Sequence, residues 1–265
     1  MADERRRYLI QQMELGGSEV ILEGRPAAAA AGAPGGSVAP SDAEPARSDA
    51  EPKWKKGAPP IPGPGLTIEP PALTLLGGDG LADLDSLDAV AERIRTTHCC
   101  GLCEHRTHAV PGEGGPRAKL VFIGEGPGAT EDATGRPFVG QAGKLLDDII
   151  AAIGLRREDV YITNVVKCRP PQNRKPLPDE IAACMPYLRR QLALLKPKVI
   201  VALGGTAGEA MLDVRKSLGE LRGKVHSYGG IPLIVTYHPA ALLRNPNWKK
   251  PTWDDVRIAR QLLDR

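Results

Sequence analysis

The sequence predicts an α/β protein with three layers, in which helices cover both faces of a mostly parallel, four-stranded central sheet. Two observations support this fold class. Four apolar runs have the length and the β-branched content of buried strands, and helical patterns alternate with them along the chain. Alternating strands and helices favour a parallel sheet that is covered on both faces.

The composition restricts this fold to residues 86–265. Residues 26–85 are rich in Ala, Pro, Gly, Ser and Asp, as in "RPAAAAAGAPGGSVAP" and "KWKKGAPPIPGPG". Such a segment buries too little apolar surface to offset its ordering entropy, so we predict a disordered tether there. Residues 1–25 carry a short amphipathic helix pattern. Residues 86–265 are numerous enough for one well-filled core.

Charge divides the chain at the same place. Residues 1–85 hold 8 Lys and Arg against 13 Asp and Glu, a net charge of −5. Residues 86–265 hold 27 against 19, a net charge of +8, and the two parts add to the +3 of the whole chain. A basic globular part is compatible with a polyanionic partner, although a merely solvated basic surface explains the charge equally well.

The sequence also predicts a cytoplasmic location. The start of the chain is charged and lacks the apolar core of a signal peptide, and no apolar run has the length needed to span a membrane. Five cysteines without a secretory leader indicate a reducing compartment, where thiols serve as ligands more often than as disulfides.

The elements follow one another in a regular order. Strands are predicted at 119–124, 160–166, 198–204 and 232–238. Helices are predicted at 84–98, 142–154, 176–196, 206–214 and 252–265, the last with Thr252 as its N-cap.

Polar residues lie at the carboxyl ends of these strands. Glu125 follows the first strand, Asn164 lies in the last turn of the second, and His238 follows the fourth. Gly204 and Gly205 follow the third strand. Ligands of open α/β sheets bind beyond the carboxyl ends of the strands. We therefore expect the Glu, Asn and His side chains to meet at the rim of one pocket, although each alone could be an ordinary structural residue.

The glycine-rich stretch "GEGPGATEDATGRPFVG" at 124–140 does not have the features of a phosphate loop. It lacks both Gly-Lys-Ser/Thr and G-x-G-x-x-G, and the carboxylates of Glu125, Glu131 and Asp132 would repel a phosphate. The turn is expected to receive a group that is neutral or is becoming positive.

Three segments carry a family resemblance. They are "GEGPGATEDATGRPFVGQAG" at 124–143, "VYITNVVKCRPPQNRKPLPDE" at 160–180 and "HPAALLRNP" at 238–246. In this order and spacing they resemble the family 4 uracil-DNA glycosylases, the iron–sulfur type, over about residues 100–265. The resemblance implies the uracil-DNA glycosylase fold and a monofunctional enzyme of base excision repair. Such an enzyme flips uracil out of DNA and hydrolyses its N-glycosidic bond, which leaves an abasic site.

The resemblance also implies roles in the pocket. Phe138 would stack under uracil, Glu131 would exclude the thymine methyl group, and Asn164 would read the Watson–Crick edge with one acceptor and one donor, a pattern that cytosine reverses. His238 would donate to uracil O2 as charge builds there, and Glu125 would stabilise the cationic sugar or orient the attacking water. The expected uracil-binding residues are Gly124, Glu125, Gly126, Glu131, Phe138, Asn164 and His238, with Glu125 and His238 catalytic.

Contacts to DNA are implied beside the pocket. Leu242 or Leu243 would wedge into the gap left by the flipped base, with plain core packing as the alternative. Arg244 would meet a backbone phosphate. Further sequence-independent phosphate contacts are expected from basic side chains that follow the second strand. These are Lys167, Arg169, Arg174 and Lys175.

The cysteines are interpreted through the same resemblance. Cys168 and Cys184 are separated by fifteen residues, unlike the close pairs of a zinc knuckle. The resemblance implies a structural [4Fe-4S] cluster that is held by these two cysteines and by two more from "HCCGLC".

The "HCCGLC" segment departs from the family pattern. Counting back from Arg106 puts Cys100 at the second ligand position but Thr97 where the first is expected. We predict Cys100 and Cys103 as ligands with Cys99 as the substitute. Loss of the cluster, with the remaining cysteines as packing residues, is the alternative.

Other functions remain open at this stage. One is an iron–sulfur DNA-binding module of the same superfamily without glycosylase activity. Another is a variant that cross-links covalently to uracil-DNA through a histidine, which is disfavoured because "KCRPPQNRKPLPDE" contains none. The expected partner is uracil-containing DNA, bound by a monomer. The segment at residues 1–25 could dock on a repair or replication protein, and a local helix without a partner is the alternative.

Overall fold

The computed structural model describes residues 52–70 and 81–265. The helix predicted in residues 1–25 and most of the tether predicted at 26–85 lie outside the described residues.

Within this part of the chain, seven strands form one sheet and nine α-helices surround it. The strands are β1 (Pro64–Ile68), β2 (Glu113–Gly114), β3 (Leu120–Gly124), β4 (Tyr161–Asn164), β5 (Val199–Leu203), β6 (Val225–Tyr228) and β7 (Ile231–Thr236). The helices are α1 (Leu87–Thr96), α2 (Leu102–His105), α3 (Ala129–Thr134), α4 (Gln141–Ala152), α5 (Pro178–Leu195), α6 (Gly205–Leu212), α7 (Leu218–Leu221), α8 (Pro239–Arg244) and α9 (Lys249–Leu263). None of these helices combines the length and the apolar composition needed to cross a membrane.

The strand order is β1-β6-β7-β5-β3-β4-β2. Neighbours run parallel except for the hairpin of β6 and β7 and the short pairing of β2 with β4. The α/β class and the mostly parallel sheet are therefore confirmed, but the predicted strand number of four is wrong. The predicted strands correspond to β3, β4, β5 and β7. The other three escaped prediction because they are short or only half buried, and so lack a continuous apolar run.

Two apolar cores lie on opposite faces of the sheet. Val121 and Ile123 of β3 point into the core beneath α5 and α6, while Leu120 and Phe122 of the same strand point into the core beneath α4 and α9. All four side chains are at most 1% exposed, and burial of a side chain of this size stabilises the fold by roughly 1.5–3 kcal/mol. The alternation along one strand explains the three layers.

Strand β1 lies inside the predicted tether and nevertheless belongs to the sheet. The backbone N–H of Leu66 donates to Nδ1 of His226 at 2.9 Å, and Nε2 of His226 lies 2.7 Å from the carbonyl oxygen of Leu221. Upstream of β1, Trp54 is buried and its carbonyl accepts from Nε of Arg257 at 2.7 Å. The folded part therefore begins before the predicted residue 86, because one buried Trp and one paired strand outweigh the Pro and Gly content around them.

Helix α9 begins earlier than predicted. Its first residue is Lys249, and Thr252 lies inside the first turn, where its hydroxyl donates to the carbonyl of Trp248 at 2.8 Å. A hydroxyl that bonds back to a carbonyl four residues earlier is typical of a helix interior. The prediction of Thr252 as the N-cap is wrong.

Candidate active site at the carboxyl edge of the sheet

The carboxyl ends of β3, β4, β5 and β7 open into one pocket of about 520 Å³. A pocket of this size holds a small organic ligand. The convergence expected from the sequence is therefore present, since residues from three strand ends share the pocket. The expected residues that line it are Glu125, Gly126, Glu131, Phe138, Asn164 and His238.

Gly124 lies against both the Phe138 ring and the Asn164 amide. A Cβ atom at this position would lie 2.6 Å from Cζ of Phe138 and would also collide with Oδ1 of Asn164. Both distances are shorter than van der Waals contact allows. Only glycine therefore lets β3 bring the ring and the amide together.

Asn164 closes the inner end of the pocket. It is the last residue of β4, pairs with Gly124 of β3, and is 1% exposed. Its Oδ1 atom is buried without a hydrogen-bond partner among the described residues. An unpaired buried oxygen costs about 1–3 kcal/mol, so this atom is set up to accept from an N–H of a ligand.

Phe138 is held in an unusual backbone conformation. Its φ angle is +50°, in the left-handed region that non-glycine residues rarely adopt, and its side chain is buried. The ring centroid lies 5.4 Å from that of His238, with 31° between the planes. Strain of this kind persists where the surroundings fix it, and it is concentrated at ligand sites.

Arg157 is one group that fixes this conformation. Its guanidinium donates to the carbonyls of Pro137 at 2.6 Å and Phe138 at 3.2 Å. The same guanidinium pairs with Asp147 at 2.7 Å and with Glu113 at 3.2 Å. Nothing in the sequence pattern singled out Arg157, because it lies about 20 residues from the carbonyls it holds.

His238 stands at the N-cap of α8 with one ring nitrogen already used. Its Nδ1 accepts from the backbone N–H of Ala240 at 3.1 Å, which assigns the proton of the neutral ring to Nε2. Burial, with a smaller contribution from Arg244, lowers the pKa of His238 to about 4, and Glu131 opposes this shift. The imidazole is therefore neutral near pH 7, and no acceptor among the described residues uses its remaining N–H donor.

Glu131 supports the loop around Phe138. One carboxylate oxygen accepts from the backbone N–H groups of Val139 and Gly140 at 2.9 and 3.0 Å, and the other accepts from Gly128 at 3.1 Å. These bonds occupy both oxygens and hold the two ends of the acidic turn together. The exclusion of a methyl group by Glu131 stays a prediction.

Glu125 differs from Glu131 because its carboxylate has no partner among the residues that the structure describes. Its side chain lines the pocket half-exposed, and no hydrogen bond or ion pair holds its carboxylate among the described residues. Its backbone carbonyl accepts from Val166 at 3.1 Å, which fixes the chain on which the side chain stands. The carboxylate is free to act on a ligand.

The two leucines of α8 lie in different environments. Leu242 is 1% exposed and packs inside, whereas Leu243 is 46% exposed. Arg244, at the end of the same helix, is exposed at the pocket mouth. Of the two candidate wedge residues, only Leu243 is available on the surface.

The basic residues after β4 are mostly engaged within the protein. Arg169 donates to Oδ1 of Asn173 at 2.8 Å, and Lys175 pairs with Glu209 at 2.8 Å. Arg174 pairs with a buried glutamate, Glu180, at 2.6 Å. All three side chains are at least partly exposed, so phosphate contacts by Arg169, Arg174 and Lys175 stay a prediction.

Lys167 is wrongly predicted as a phosphate contact. Its side chain is 2% exposed and points into the protein. Burial lowers the pKa of Lys167 to about 7, while the neighbouring thiols of Cys184 and Cys168 oppose this shift.

All five cysteines come together behind the pocket and form what we call the cysteine centre (Cys99, Cys100, Cys103, Cys168 and Cys184). The sulfurs of Cys99, Cys100 and Cys103 lie within 4.8 Å of one another. Cys103 lies 3.7 Å from Cys168, and Cys184 is hydrogen-bonded to Cys99 and Cys100. This donor set could hold a metal, with all sulfurs contributed by three separate segments.

A small cavity among these sulfurs is lined by basic residues but by no acidic ones among the described residues. Its cysteine lining consists of Cys99, Cys103, Cys168 and Cys184. Two cations also line it, Arg106 and Lys167, and the Arg106 guanidinium donates to Cys168 sulfur at 3.2 Å. No carboxylate is present among the described lining residues. The cavity thus combines thiols with nearby positive charge, which would favour the thiolate forms that bind a metal.

Sequence reasoning also missed an aromatic group at the pocket mouth. Tyr237 and Trp248 line the pocket and stack on each other, with ring centroids 4.7 Å apart and 4° between the planes. The Arg222 guanidinium lies 4.3 Å from the centre of the Tyr237 ring. The position of Tyr237 directly before His238 was the one available signal.

The three-layer fold has a carboxyl-edge pocket with an aromatic side chain, an unpaired amide oxygen and a neutral imidazole, an arrangement suited to a small planar ligand. The family model described as the uracil DNA glycosylase superfamily matches residues 111–259. The chain belongs to this superfamily, in which its similarity is to the type-4 uracil-DNA glycosylases.

Curated relatives give the extent of this similarity. A type-4 uracil-DNA glycosylase of Thermotoga maritima is 50% identical over 183 residues, which cover 68% of this chain and 95% of the relative. A type-4 uracil-DNA glycosylase of Sulfurisphaera tokodaii is 48% identical over 188 residues, 68% of this chain and 86% of the relative. A type-5 uracil-DNA glycosylase of Thermus thermophilus is 39% identical over 149 residues, 49% of this chain and 68% of the relative.

Proposed function

We propose that this protein is a uracil-DNA glycosylase, which extrudes uracil from DNA and hydrolyses its N-glycosidic bond in base excision repair. One observation carries the proposal: the unpaired, buried Oδ1 of Asn164 lies in the same pocket as the Phe138 ring and the free Nε2–H of His238. A flat, neutral ring with an N–H between two carbonyl groups satisfies all three.

Uracil matches the amide in both directions. Its N3–H would donate to Oδ1 of Asn164, and its O4 would accept from the amide nitrogen. Cytosine has an acceptor at N3 and a donor at C4, so it would leave the buried Oδ1 unpaired. Loss of a buried hydrogen bond of this kind costs about 1–3 kcal/mol, which favours uracil over cytosine.

During bond cleavage, the two catalytic residues would stabilise opposite charges. When the bond between uracil N1 and the sugar C1′ breaks, its electron pair stays on uracil and the sugar becomes cationic. His238 would donate from Nε2 to uracil O2, where negative charge gathers, while remaining neutral itself. The unpaired carboxylate of Glu125 would stabilise the sugar cation and orient the water that attacks C1′.

On the DNA side we assign the wedge to Leu243 and a phosphate contact to Arg244. The exposure of Leu243 and the burial of its neighbour Leu242 support this choice. An apolar side chain that fills the gap in the base stack lowers the cost of holding a base outside it. Phosphate contacts by Arg169, Arg174 and Lys175 would require rearrangement of their present partners.

The residues of the cysteine centre fit a [4Fe-4S] cluster. Thiols from three segments converge, the Arg106 guanidinium donates to one of them, and no carboxylate is among the described residues that line the cavity. Cys103, Cys168 and Cys184 would hold the cluster together with Cys99 or Cys100. When bound, the cluster would cross-link the three segments behind the pocket. Hydrolysis needs no redox step, so its role would be structural.

Two related functions are the alternatives. Covalent cross-linking is disfavoured because the loop from Lys167 to Glu180 contains no histidine. A DNA-binding module without activity is disfavoured by the free Glu125 carboxylate and the free Nε2 of His238, since pure binding requires neither. The division into a helical segment (residues 1–25), a tether (26–85) and a glycosylase domain (86–265) stays a proposal, in which β1 and the buried Trp54 extend the folded domain toward residue 52.

An excision assay tests the proposal. The full chain is incubated with an oligonucleotide that carries one uracil, and alkali then cleaves any abasic site. We expect cleavage with uracil and none with thymine or cytosine. Glu125→Gln should slow cleavage strongly, while Glu158→Gln, on the far surface, serves as the matched control. A covalent band would favour the cross-linking variant. Binding without cleavage, in protein that contains iron, would favour the binding module.

A further inference from the structure

Lys167 carries a buried amine surrounded by three neutral hydrogen-bond acceptors, an arrangement that favours its ammonium form. Its Nζ donates to the hydroxyl of Thr163 and to the backbone carbonyl of Asn164, each at 2.7 Å, and to Oε1 of Gln191 at 2.8 Å. Thr163 and Gln191 are themselves buried and both donate to the carbonyl of Pro111. All three protons of the ammonium are therefore used, and no carboxylate contacts it among the described residues.

A buried cation without a countercharge is costly, so an anion is expected nearby. Among the described residues, the groups beside Lys167 that can carry negative charge are the thiols of Cys184 and Cys168 in the cysteine centre. Lys167 lines this cavity, the next residue is Cys168, and the backbone of Lys167 is hydrogen-bonded to Cys184. Deprotonated thiols that hold a metal cluster would supply the missing negative charge.

The other end of this arrangement is the uracil-reading residue. Asn164 is the last residue of β4, so its carbonyl lies where the ladder of the sheet ends. The Lys167 ammonium provides the partner of that carbonyl. This hydrogen bond holds the backbone from which the Asn164 side chain extends into the pocket.

We propose that Lys167 is a positioning residue that couples the loaded cysteine centre to the uracil pocket, with its charge balanced by the centre and its hydrogen bond aligning Asn164. The inference rests on the proposed function and deepens it. It makes the centre a determinant of base selectivity, in addition to a cross-link between chain segments.

The test compares Lys167→Met with the wild-type protein and with Lys198→Met, a surface control outside the pocket and the cysteine centre. The probe is a duplex that contains one 2′-fluoro-2′-deoxyuridine, whose fluorine slows glycosidic cleavage, and the reference is the same duplex with thymidine. Binding of both is measured for loaded protein and for protein depleted of iron by a chelator, well below the unfolding temperature. The rate of iron release to the chelator is the second readout.

We expect K167M to lose about tenfold in its preference for uridine over thymidine, the magnitude of a hydrogen bond to a charged donor. We expect K167M to release iron faster than wild type and than K198M. Depletion should lower the preference of wild type by a similar factor and change that of K167M little further, since both act through one contact.

Several results would overturn the inference. They are an unchanged preference in K167M, an unchanged rate of iron release, or losses from mutation and depletion that add in full. If K167M does not fold, wild type alone decides, because an unchanged preference after depletion contradicts the coupling. A wild-type protein without any preference for uridine would instead contradict the proposed function itself.

Discussion

The uracil pocket and the cysteine centre are both assembled from distant segments, but they are held in different ways. The pocket side chains stand at the ends of paired strands, and its loop is fixed by bonds within the protein, such as those of Arg157 and Glu131. In the cysteine centre, the Arg106 guanidinium and the backbone of Lys167 bond to sulfur, and no carboxylate is among the described residues that line the cavity. The pocket is thus complete before a ligand arrives, whereas the centre depends on its occupant for charge balance.

Replacement of His238 should lower the excision rate more than any other change proposed below. It removes a hydrogen-bond donor from the pocket and leaves the surrounding fold intact. Asparagine is a good N-cap and keeps the bond to α8, but it lacks the Nε2–H donor. We expect His238→Asn to lower the single-turnover excision rate by about 100–1,000-fold, as for other single oxyanion donors. Urea unfolding should remain close to wild type. An unchanged rate would remove His238 from the chemistry.

The next prediction concerns the cysteine centre, where Cys99 and Cys100 are the two candidates for one ligand position. Cys99 lines the cavity with Cys103 and Cys168, and Cys100 does not. We expect Cys99→Ser to lose most of the bound iron and sulfide and to unfold at a lower temperature. Cys100→Ser is the matched control and should keep its iron. The reverse pattern would restore the assignment of Cys100 that the sequence favoured.

Gly124→Ala tests how tightly the residues around the pocket are packed. The added methyl group would press on Phe138 and Asn164 at once, so we expect a loss of about 1–3 kcal/mol in the free energy of unfolding, together with slower excision. Gly219→Ala is the control, because a Cβ there meets nothing within 4 Å. Equal urea midpoints for the two variants would mean that Phe138 and Asn164 shift to accommodate the methyl group at little cost in stability.

The smallest effect is expected from pH, since the neutral state of His238 is built into the fold. With a pKa lowered to about 4, the group should leave the excision rate flat between about pH 6 and 8, where an ordinary histidine would titrate. Its contribution to stability is present above the unfolded pKa of about 6.5 and is lost as the pH falls toward 4. Rates and urea midpoints over pH 4–8 test both statements. A rate that halves near pH 6.5 would contradict the first.

The sequence was sufficient to predict the pocket edge, for a physical reason. Buried parallel strands are continuous apolar runs, and the residue that ends such a run must lie at the edge of the sheet. Glu125, Asn164 and His238 could therefore be placed together without coordinates. The roles within the pocket were less accessible, because the bonds of Glu131 and the φ angle of Phe138 depend on loop geometry.

Other features could not be predicted because their partners are remote in sequence. Strand β1 is recognisable only through its pairing with β6, about 160 residues later. The burial of Lys167 contradicts its position in a basic loop and becomes understandable only beside Cys168 and Cys184. The order of Cys99 and Cys100 around the cavity depends on the short helix α2, which a spacing count does not resolve.

The contacts between α9 and the segment before β1 determine where the chain can be shortened. Arg257 donates to the carbonyls of Trp54 and Lys56, and Arg260 lies over the Trp54 ring at 5.1 Å. The far end of the chain is therefore clasped by a stretch that precedes residues 111–259, the part that defines the superfamily. A version trimmed to those family residues would remove both carbonyl acceptors of the Arg257 guanidinium and leave it only the longer ion pair with Asp254, at 3.7 Å, among its described partners. Shortened forms meant for crystallisation or fusion should keep residue 52 onward.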